Sequence, residues 1–392
     1  VARKPAEALL ELRKFVAPEF VFGPGALALA GRYARNLGSR RPLVVTDPGV
    51  RAAGWTDRVL ASIREHGLAA VVFDRVTPNP RDHEVMAGAE AYRAQGCDAI
   101  VAVGGGSPMD CAKGIGIVCS NDRPVLTFEG VDNVEVPGAP LICVPTTAGS
   151  SADVSQFAIV NDTTRKVKIA IVSKTVVPDV SLIDPAATTT MDRNLTAYTG
   201  LDALTHAVEA YVSNAHSPVS DLFALEAVRR IGESLPRALD APANLEARAG
   251  MMLGSMYAGL AFSNAILGAV HAMAHSLGGL KDLPHGLCNA ILLDHVVDFN
   301  FAAAPDRYAE VARALGGEAP ADASLDERKA ATLATLRAFK QRAGVTAGLA
   351  DLGVTRQDLA ALAEFAAADP CMATNPREPC SEDIIAIYER AL

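Results

Sequence analysis

The stretch from His271 to Gly286 constrains this chain more than any other, because it sets ionisable side chains where a core should be. It carries three of the chain's eight histidines, His271, His275 and His285. His271 and His275 are four residues apart, so on a helix they share one face. His285 follows Gly278-Gly279 and Pro284, where a second helix can begin. Upstream, Asp202 and His206 form another pair at helical spacing. The surroundings are rich in Ala, Leu and Met. Core histidines bonded to backbone carbonyls would be one outcome. Unpaired polar groups inside a core are costly, however. Three imidazoles and one carboxylate could instead close most of a shell around a divalent first-row metal.

Elsewhere the pattern alternates. Residues 42–46, 69–73, 98–103 and 141–144 read as buried strands, and 51–67, 81–96 and 108–120 as helices. Continuous Val/Ile/Leu strands between helices predict a parallel sheet covered on both faces. Residues 156–160 and 166–170 read as a hairpin, and 20–25 as an extended piece after a short N-terminal helix. After Asp184-Pro185 the pattern turns helical, at about 196–213, 217–233, 244–265, 267–279, 286–298, 305–315, 325–343 and 356–367. The expected fold is an α/β N-terminal domain over 1–185, a Rossmann-like parallel sheet with a hairpin, plus an all-α C-terminal domain over 186–392.

Composition narrows the function classes. A net charge of −9 argues against nucleic acid as the main partner. No apolar run reaches the roughly 18–20 residues of a membrane span. The first residues are broken by Arg3, Lys4, Glu7, Glu11 and Arg13 and lack the apolar centre of a signal peptide. Seven scattered cysteines, with no C-x-x-C pair, suit a reducing, cytoplasmic setting.

Three loops at strand ends point to a nucleotide. Gly104-Gly105-Gly106 follows a strand and opens a helix, so its backbone can approach a diphosphate closely. Ser107 is expected as N-cap, Pro108 as first helical residue and Asp110 as the far side of a capping box. The third glycine of G-x-G-x-x-G is replaced by Met109. Pro145 to Ser151 offers hydroxyls and N–H groups at the end of the next strand. Asp47, ending the first strand, could bond a ribose and would repel a 2′-phosphate, favouring NAD over NADP.

These motifs resemble the iron-containing (group III) alcohol dehydrogenases: GGGSPMDCAKGIGI, PTTAGSS, TGLDALTHAVEAY, HAMAHSLGG, LPHGLCNAILL and TNPREPCSEDI, in this order. The resemblance runs from about Phe20 to the C-terminus and implies a dehydroquinate-synthase-like architecture. It implies a cleft between the domains that holds metal and nicotinamide, and a homodimer or larger assembly. By the same resemblance Asp202, His206, His271 and His285 are metal ligands, and His275 stands beside the metal. Gly105, Gly106, Ser107 and Asp110 match positions at the cofactor phosphates. Thr146, Thr147 and Ser150 match a second cofactor loop, and Lys168, Asn79 and Asp47 also reach the cofactor. Phe157, Phe262 and Cys371 match the substrate pocket. Asp153 and Arg81 depart from residues common in the family.

The function so implied is hydride transfer between a primary alcohol, or its aldehyde, and NAD. A divalent ion would lower the pKa of the alcohol, and His275 would relay the proton. Fe²⁺ is implied by the resemblance; the ligand set also suits Zn²⁺. Phe157 and Phe262 make the expected pocket apolar, and no motif places Arg or Lys for an acidic substrate. A zinc polyol dehydrogenase, a metal- and NAD-using lyase and a non-catalytic scaffold are the alternatives.

Overall fold

The computed structural model describes residues 12, 14–318, 320 and 322–392. The short N-terminal helix expected from the sequence lies, apart from Leu12 and Lys14, outside them. The chain forms two compact units. One is Val16–Met191; the other holds Asp192–Leu392, with Phe15 stacked on Phe223 at 5.7 Å.

The first unit is built on strands β1 (Glu19–Phe22), β2 (Pro42–Val45), β3 (Val71–Phe73), β4 (Ala99–Gly104), β6 (Leu141–Pro145) and β9 (Val180–Ile183). They form a six-stranded sheet in the order β1-β9-β6-β4-β2-β3, with every pairing parallel. Successive residues of a strand face opposite sides, and both sides are filled. Leu43, Val45, Ile100, Ala102 and Cys143 join one core with Val85, Met109 and Ile115. Val44, Val101, Val103 and Ile142 join the other with Ala30, Trp55, Val59 and Ile63. This two-sided burial is why the strands read as unbroken apolar runs.

Helices α1 (Ala30–Asn36), α2 (Pro48–Ala52), α3 (Trp55–Glu65), α4 (Asp82–Ala94) and α5 (Gly106–Asn121) make the crossovers. The helix expected over 51–67 is two helices, because Gly54 turns the chain at φ +82°. A short strand β5 (Gly130–Val131) and the hairpin β7 (Phe157–Asp162) and β8 (Val167–Val172) form a separate sheet. The hairpin turn is held by Asp162, whose Oδ1 accepts the N–H groups of Thr164 and Arg165 at 2.9 Å. Strand β9 is not evident in the sequence. It spans four residues, and Ser181 interrupts its apolar pattern by donating to Asp153 Oδ2 at 2.7 Å.

The second unit comprises α6 (Arg193–Val212), α7 (Pro218–Asp240), α8 (Leu245–Ala265), α9 (Ala269–Lys281), α10 (His285–Asn300), α11 (Pro305–Ala314), α12 (Leu325–Arg342), α13 (Leu359–Ala368) and α14 (Ser381–Ala391). Among the described residues no strand follows Ile183. The sequence reading omits α14. A cysteine, Cys380, stands at its N-cap where Ser, Thr or Asp would signal a start. The Tyr388 hydroxyl docks this helix by donating to the Met273 carbonyl at 2.8 Å. Among the described residues no single helix is long and apolar enough to cross a membrane. The pair α8 and α9 passes that test together but is bent by 99°.

Lys113 ties α5 to the start of β7. Its buried ammonium donates to the carbonyls of Ser155 at 2.9 Å and Phe157 at 2.6 Å. Burial lowers its pKa, against the pull of Asp110. A Lys113→Met variant keeps the apolar stem but strands two buried carbonyls. It should lose about 3 kcal/mol of stability, read from chemical denaturation. An unchanged midpoint would show that the two carbonyls find other donors.

Candidate functional site

Three buried helices bring the histidine motifs together. Helix α6 supplies Asp202 and His206 one turn apart, and α9 supplies His271 and His275. His285 is the first residue of α10, after N-cap Pro284. Gly286 permits the approach of α10 to α6: a Cβ there would lie 2.5 Å from the Tyr198 carbonyl oxygen. Asp202, His206, His271 and His285 each offer a ligand atom within 4.8 Å of the others. The Nε2 atoms of His271 and His285 lie 3.8 and 3.7 Å from Asp202 Oδ1. Ligand atoms held at about 2.1 Å in a tetrahedral shell lie roughly 3.4 Å apart, so these distances suit a metal after a small contraction.

A residue absent from the sequence reading supports that fit. Asn289, one turn after His285, aims Nδ2 at the same point. It lies 2.7 Å from Asp202 Oδ1, 3.0 Å from His271 Nε2 and 3.2 Å from His285 Nε2. Its own Oδ1 has no hydrogen-bond partner among the described residues. The acceptors therefore converge on a place where an electropositive group belongs. Burial opposes the Asp202 charge, yet the neighbouring His206, His285 and His271 hold its carboxyl far below the usual range. Burial likewise opposes charge on His271, but Asp202 and Glu209 outweigh it and raise the imidazole to about 9. Three nitrogens and one carboxylate, buried and mutually charged in this way, suit a divalent cation.

The surroundings reveal more residues. Glu209 Oε2 is 2.6 Å from His271 Nδ1. His275 Nδ1 is 2.8 Å from Asp369 Oδ2, and its ring stacks on His285 at 5.3 Å. Asp369 Oδ1 also accepts the Cys371 N–H at 2.8 Å. Burial, then the Asp369 charge, pushes the Cys371 thiol up. Phe262 stacks on His206 at 4.4 Å, while Phe157 is a buried residue of the α/β unit, at the start of β7. Glu209 was legible in the sequence: positions 202, 206 and 209 share one helical face. Asn289 likewise lies four residues after His285. Asp369 has no such local signal.

In the α/β unit, the loops after β2, β4 and β6 leave the carboxyl ends of adjacent strands. β3 and β4 flank β2, so the strand order reverses there, where such sheets bind ligands. Asp47 caps α2, accepting the Val50 N–H at 2.9 Å through one oxygen. The expected cap at the glycine loop is corrected. Gly105, not Ser107, is the N-cap of α5, no side chain caps it, and there is no Ser107–Asp110 capping box. Ser107 lies inside the helix and accepts the Asn79 N–H at 3.2 Å. The glycines also let two loops meet. A Cβ on Gly105 would lie 3.1 Å from Thr147 Cγ2, and one on Gly106 2.9 Å from Ser150 Cβ. Thr146 joins the same loop pair, its N–H bonding Gly104 at 2.9 Å. Asn79, at φ +56°, accepts from Lys168 Nζ at 2.8 Å. Burial pushes the nearby Asp110 carboxyl up to about 6, opposed by Lys113 and Lys168. An uncapped helix start beside hydroxyls and a lysine suits an anionic phosphate group.

Comparison with known proteins adds the family. The profile described as iron-containing alcohol dehydrogenase matches residues 17–185. That described as Fe-containing alcohol dehydrogenase family, C-terminal, matches residues 196–392. The chain is 42% identical over 372 residues to 1,3-propanediol dehydrogenase of Citrobacter freundii, covering 94% of this chain and 96% of that one. It is 36% identical over 378 residues to NAD-dependent methanol dehydrogenase of Bacillus methanolicus, covering 96% and 99%. A crystal structure of 1,3-propanediol oxidoreductase superposes with a TM-score of 0.94 at 40% identity, over 97% of this chain and 100% of that one. With both halves matched and the histidine cluster assembled, the chain belongs to the iron-containing alcohol dehydrogenase family.

Proposed function

We propose that this protein is a metal-dependent oxidoreductase that moves a hydride between a small primary alcohol, or its aldehyde, and NAD. The observation that carries this reading is the meeting of Asp202, His206, His271 and His285 at one buried point. Fe²⁺ is the favoured ion because the chain belongs to the iron-containing family. The family match favours this reading over a zinc polyol dehydrogenase. A divalent ion at that point would supply Lewis acidity to the alcohol oxygen, and NAD would accept the hydride.

The chain's own residues do the rest. The four ligand side chains fix the binding point. The Asp369 carboxylate accepts the Nδ1 proton of His275, which leaves Nε2 to take or give a proton. Phe262 covers one face of His206 and gives the site an apolar wall; Cys371 matches a substrate-pocket position on the family resemblance. Phe157 matches a substrate-pocket position on the family resemblance alone. This wall and the names of the relatives, a 1,3-propanediol dehydrogenase and a methanol dehydrogenase, support short unbranched alcohols. Gly105, Gly106 and Ser107 present backbone N–H groups to the cofactor phosphates, with Thr146, Thr147 and Ser150 opposite. Asn79, Asp110 and Lys168 flank them, and Asp47 repels a 2′-phosphate. Seven scattered cysteines with no C-x-x-C pair fit a reducing cytoplasm; a homodimer or larger assembly follows from the resemblance.

Two experiments test the reading. Chelation under anaerobic conditions should stop aldehyde-dependent NADH oxidation, and Fe²⁺ should restore it. His271→Ala should lose both metal retention and turnover; wild-type turnover in that variant would remove the metal from the mechanism. Asp47→Ser keeps an N-cap oxygen but deletes the charge. It should leave the melting temperature unchanged while improving kcat/KM for NADP by roughly tenfold or more. Unchanged discrimination against NADP would take Asp47 out of cofactor selection.

A further inference from the structure

The helix that delivers His271 begins with an N-terminus that its own residues do not cap. Its N-cap is Gly268, which has no side chain to offer. Two distant residues satisfy the first turn instead. Asn375 Oδ1 accepts the Ala269 N–H at 3.1 Å. Glu209 Oε1 accepts the Val270 N–H at 2.7 Å. Its Oε2 lies 3.4 Å from the His271 backbone nitrogen and 2.6 Å from Nδ1. Gly268 makes room for both: a Cβ would sit 2.9 Å from Asn375 Oδ1 and from Glu209 Oε1. Glu209 is only 4% exposed. The positive end of α9 and the imidazole N–H offset its burial.

We propose that Glu209 is a positioning residue of the metal centre, holding His271 in the tautomer that points an unprotonated Nε2 at the metal. The proposal rests on the reading of His271 as a ligand. A carboxylate offers only acceptors to this cluster of N–H groups. It therefore requires the His271 proton on Nδ1, which leaves the lone pair on Nε2, 3.0 Å from Asn289 Nδ2 at the centre of the cluster. Such a partner also raises the basicity of a ligating imidazole, and its loss commonly costs 10- to 100-fold in metal affinity. Asn375 holds the same helix end with no hydrogen bond to the His271 ring among the described residues, so it separates helix docking from ring orientation. Asn375 also exchanges two hydrogen bonds of 2.8 Å with Asn300. The TNPRE segment seen in the sequence thereby gains a structural task.

Glu209→Gln is the discriminating change because it keeps the size. Its single amide oxygen can still accept the Val270 N–H. Its NH₂ then faces Nδ1, which must become an acceptor and so shifts the ring proton to Nε2. The full-length protein is stripped of metal, and Zn²⁺ affinity is measured by chelator competition, with Co²⁺ absorption as a spectroscopic readout. Glu209→Gln is expected to weaken Zn²⁺ binding by roughly 10- to 100-fold and to alter the Co²⁺ spectrum. Asn375→Ala is expected to lower the metal-free melting temperature while Zn²⁺ affinity stays within about threefold. Glu209→Asp, the fallback should the Gln variant not fold, keeps the charge but retreats from Nδ1 and should weaken binding severalfold. Wild-type affinity in Glu209→Gln, or in Glu209→Asp if that stands in, overturns the proposal. So does an equal loss in Asn375→Ala. If the unaltered protein binds no Zn²⁺, Co²⁺ or Fe²⁺, the metal centre itself fails, and the role of Glu209 falls with it.

Discussion

The helical unit depends on the burial of one carboxylate among three imidazoles. Asp202 is 4% exposed and His271 1% exposed, where an isolated charge would cost several kcal/mol. Neither is isolated. Each lowers the cost of the other, which is why the Asp202 pKa falls while that of His271 rises. The cluster therefore favours a net cationic occupant, whether shared protons or a metal ion. A metal must displace the protons, because only deprotonated ligands bind it. Gly286 lets α10 lie close against the Tyr198 carbonyl of α6, so the two helices are held to this geometry.

The α/β unit solves a different problem. Its glycine loop leaves the first N–H groups of α5 without a side-chain cap. Gly105 at the N-cap of α5 achieves this where Ser107 would have defeated it, since a serine N-cap turns its oxygen onto the helix's own N–H groups. Ser107 instead takes the Asn79 N–H, which secures a residue held at positive φ. Asp47 does spend one oxygen on capping, and its other oxygen keeps the charge at the end of β2.

Much of this is legible in the sequence alone. The strands facing two cores announced themselves as apolar runs, and the histidine spacing announced a shared helical face. Boundaries failed where the signal was chemical rather than periodic. Gly54 divided a helix that the periodicity carried through, Ser181 hid a buried strand, and Cys380 hid a helix start. The meeting of Asp202, His206, His271 and His285 was legible from their spacing. Glu209 and Asn289 could have been found by extending the helical period one more turn. Asp369 and Asn375 could not, because their roles come from tertiary contacts across nearly a hundred residues or more.

The two histidines of α9 show why spacing alone cannot assign roles. His271 and His275 lie one turn apart, and each directs Nδ1 to a carboxylate, Glu209 at 2.6 Å and Asp369 at 2.8 Å. In both, Nε2 is the ring nitrogen turned away from that carboxylate. What separates them is the company of that atom. His271 Nε2 faces Asp202 and Asn289, whereas the His275 ring stacks on His285 and stands outside the four-membered set. One helix face thus supplies two imidazoles whose Nδ1 atoms each meet a carboxylate. The first meets Asp202, His206 and His285 at one point, and the second stands one turn away against Asp369.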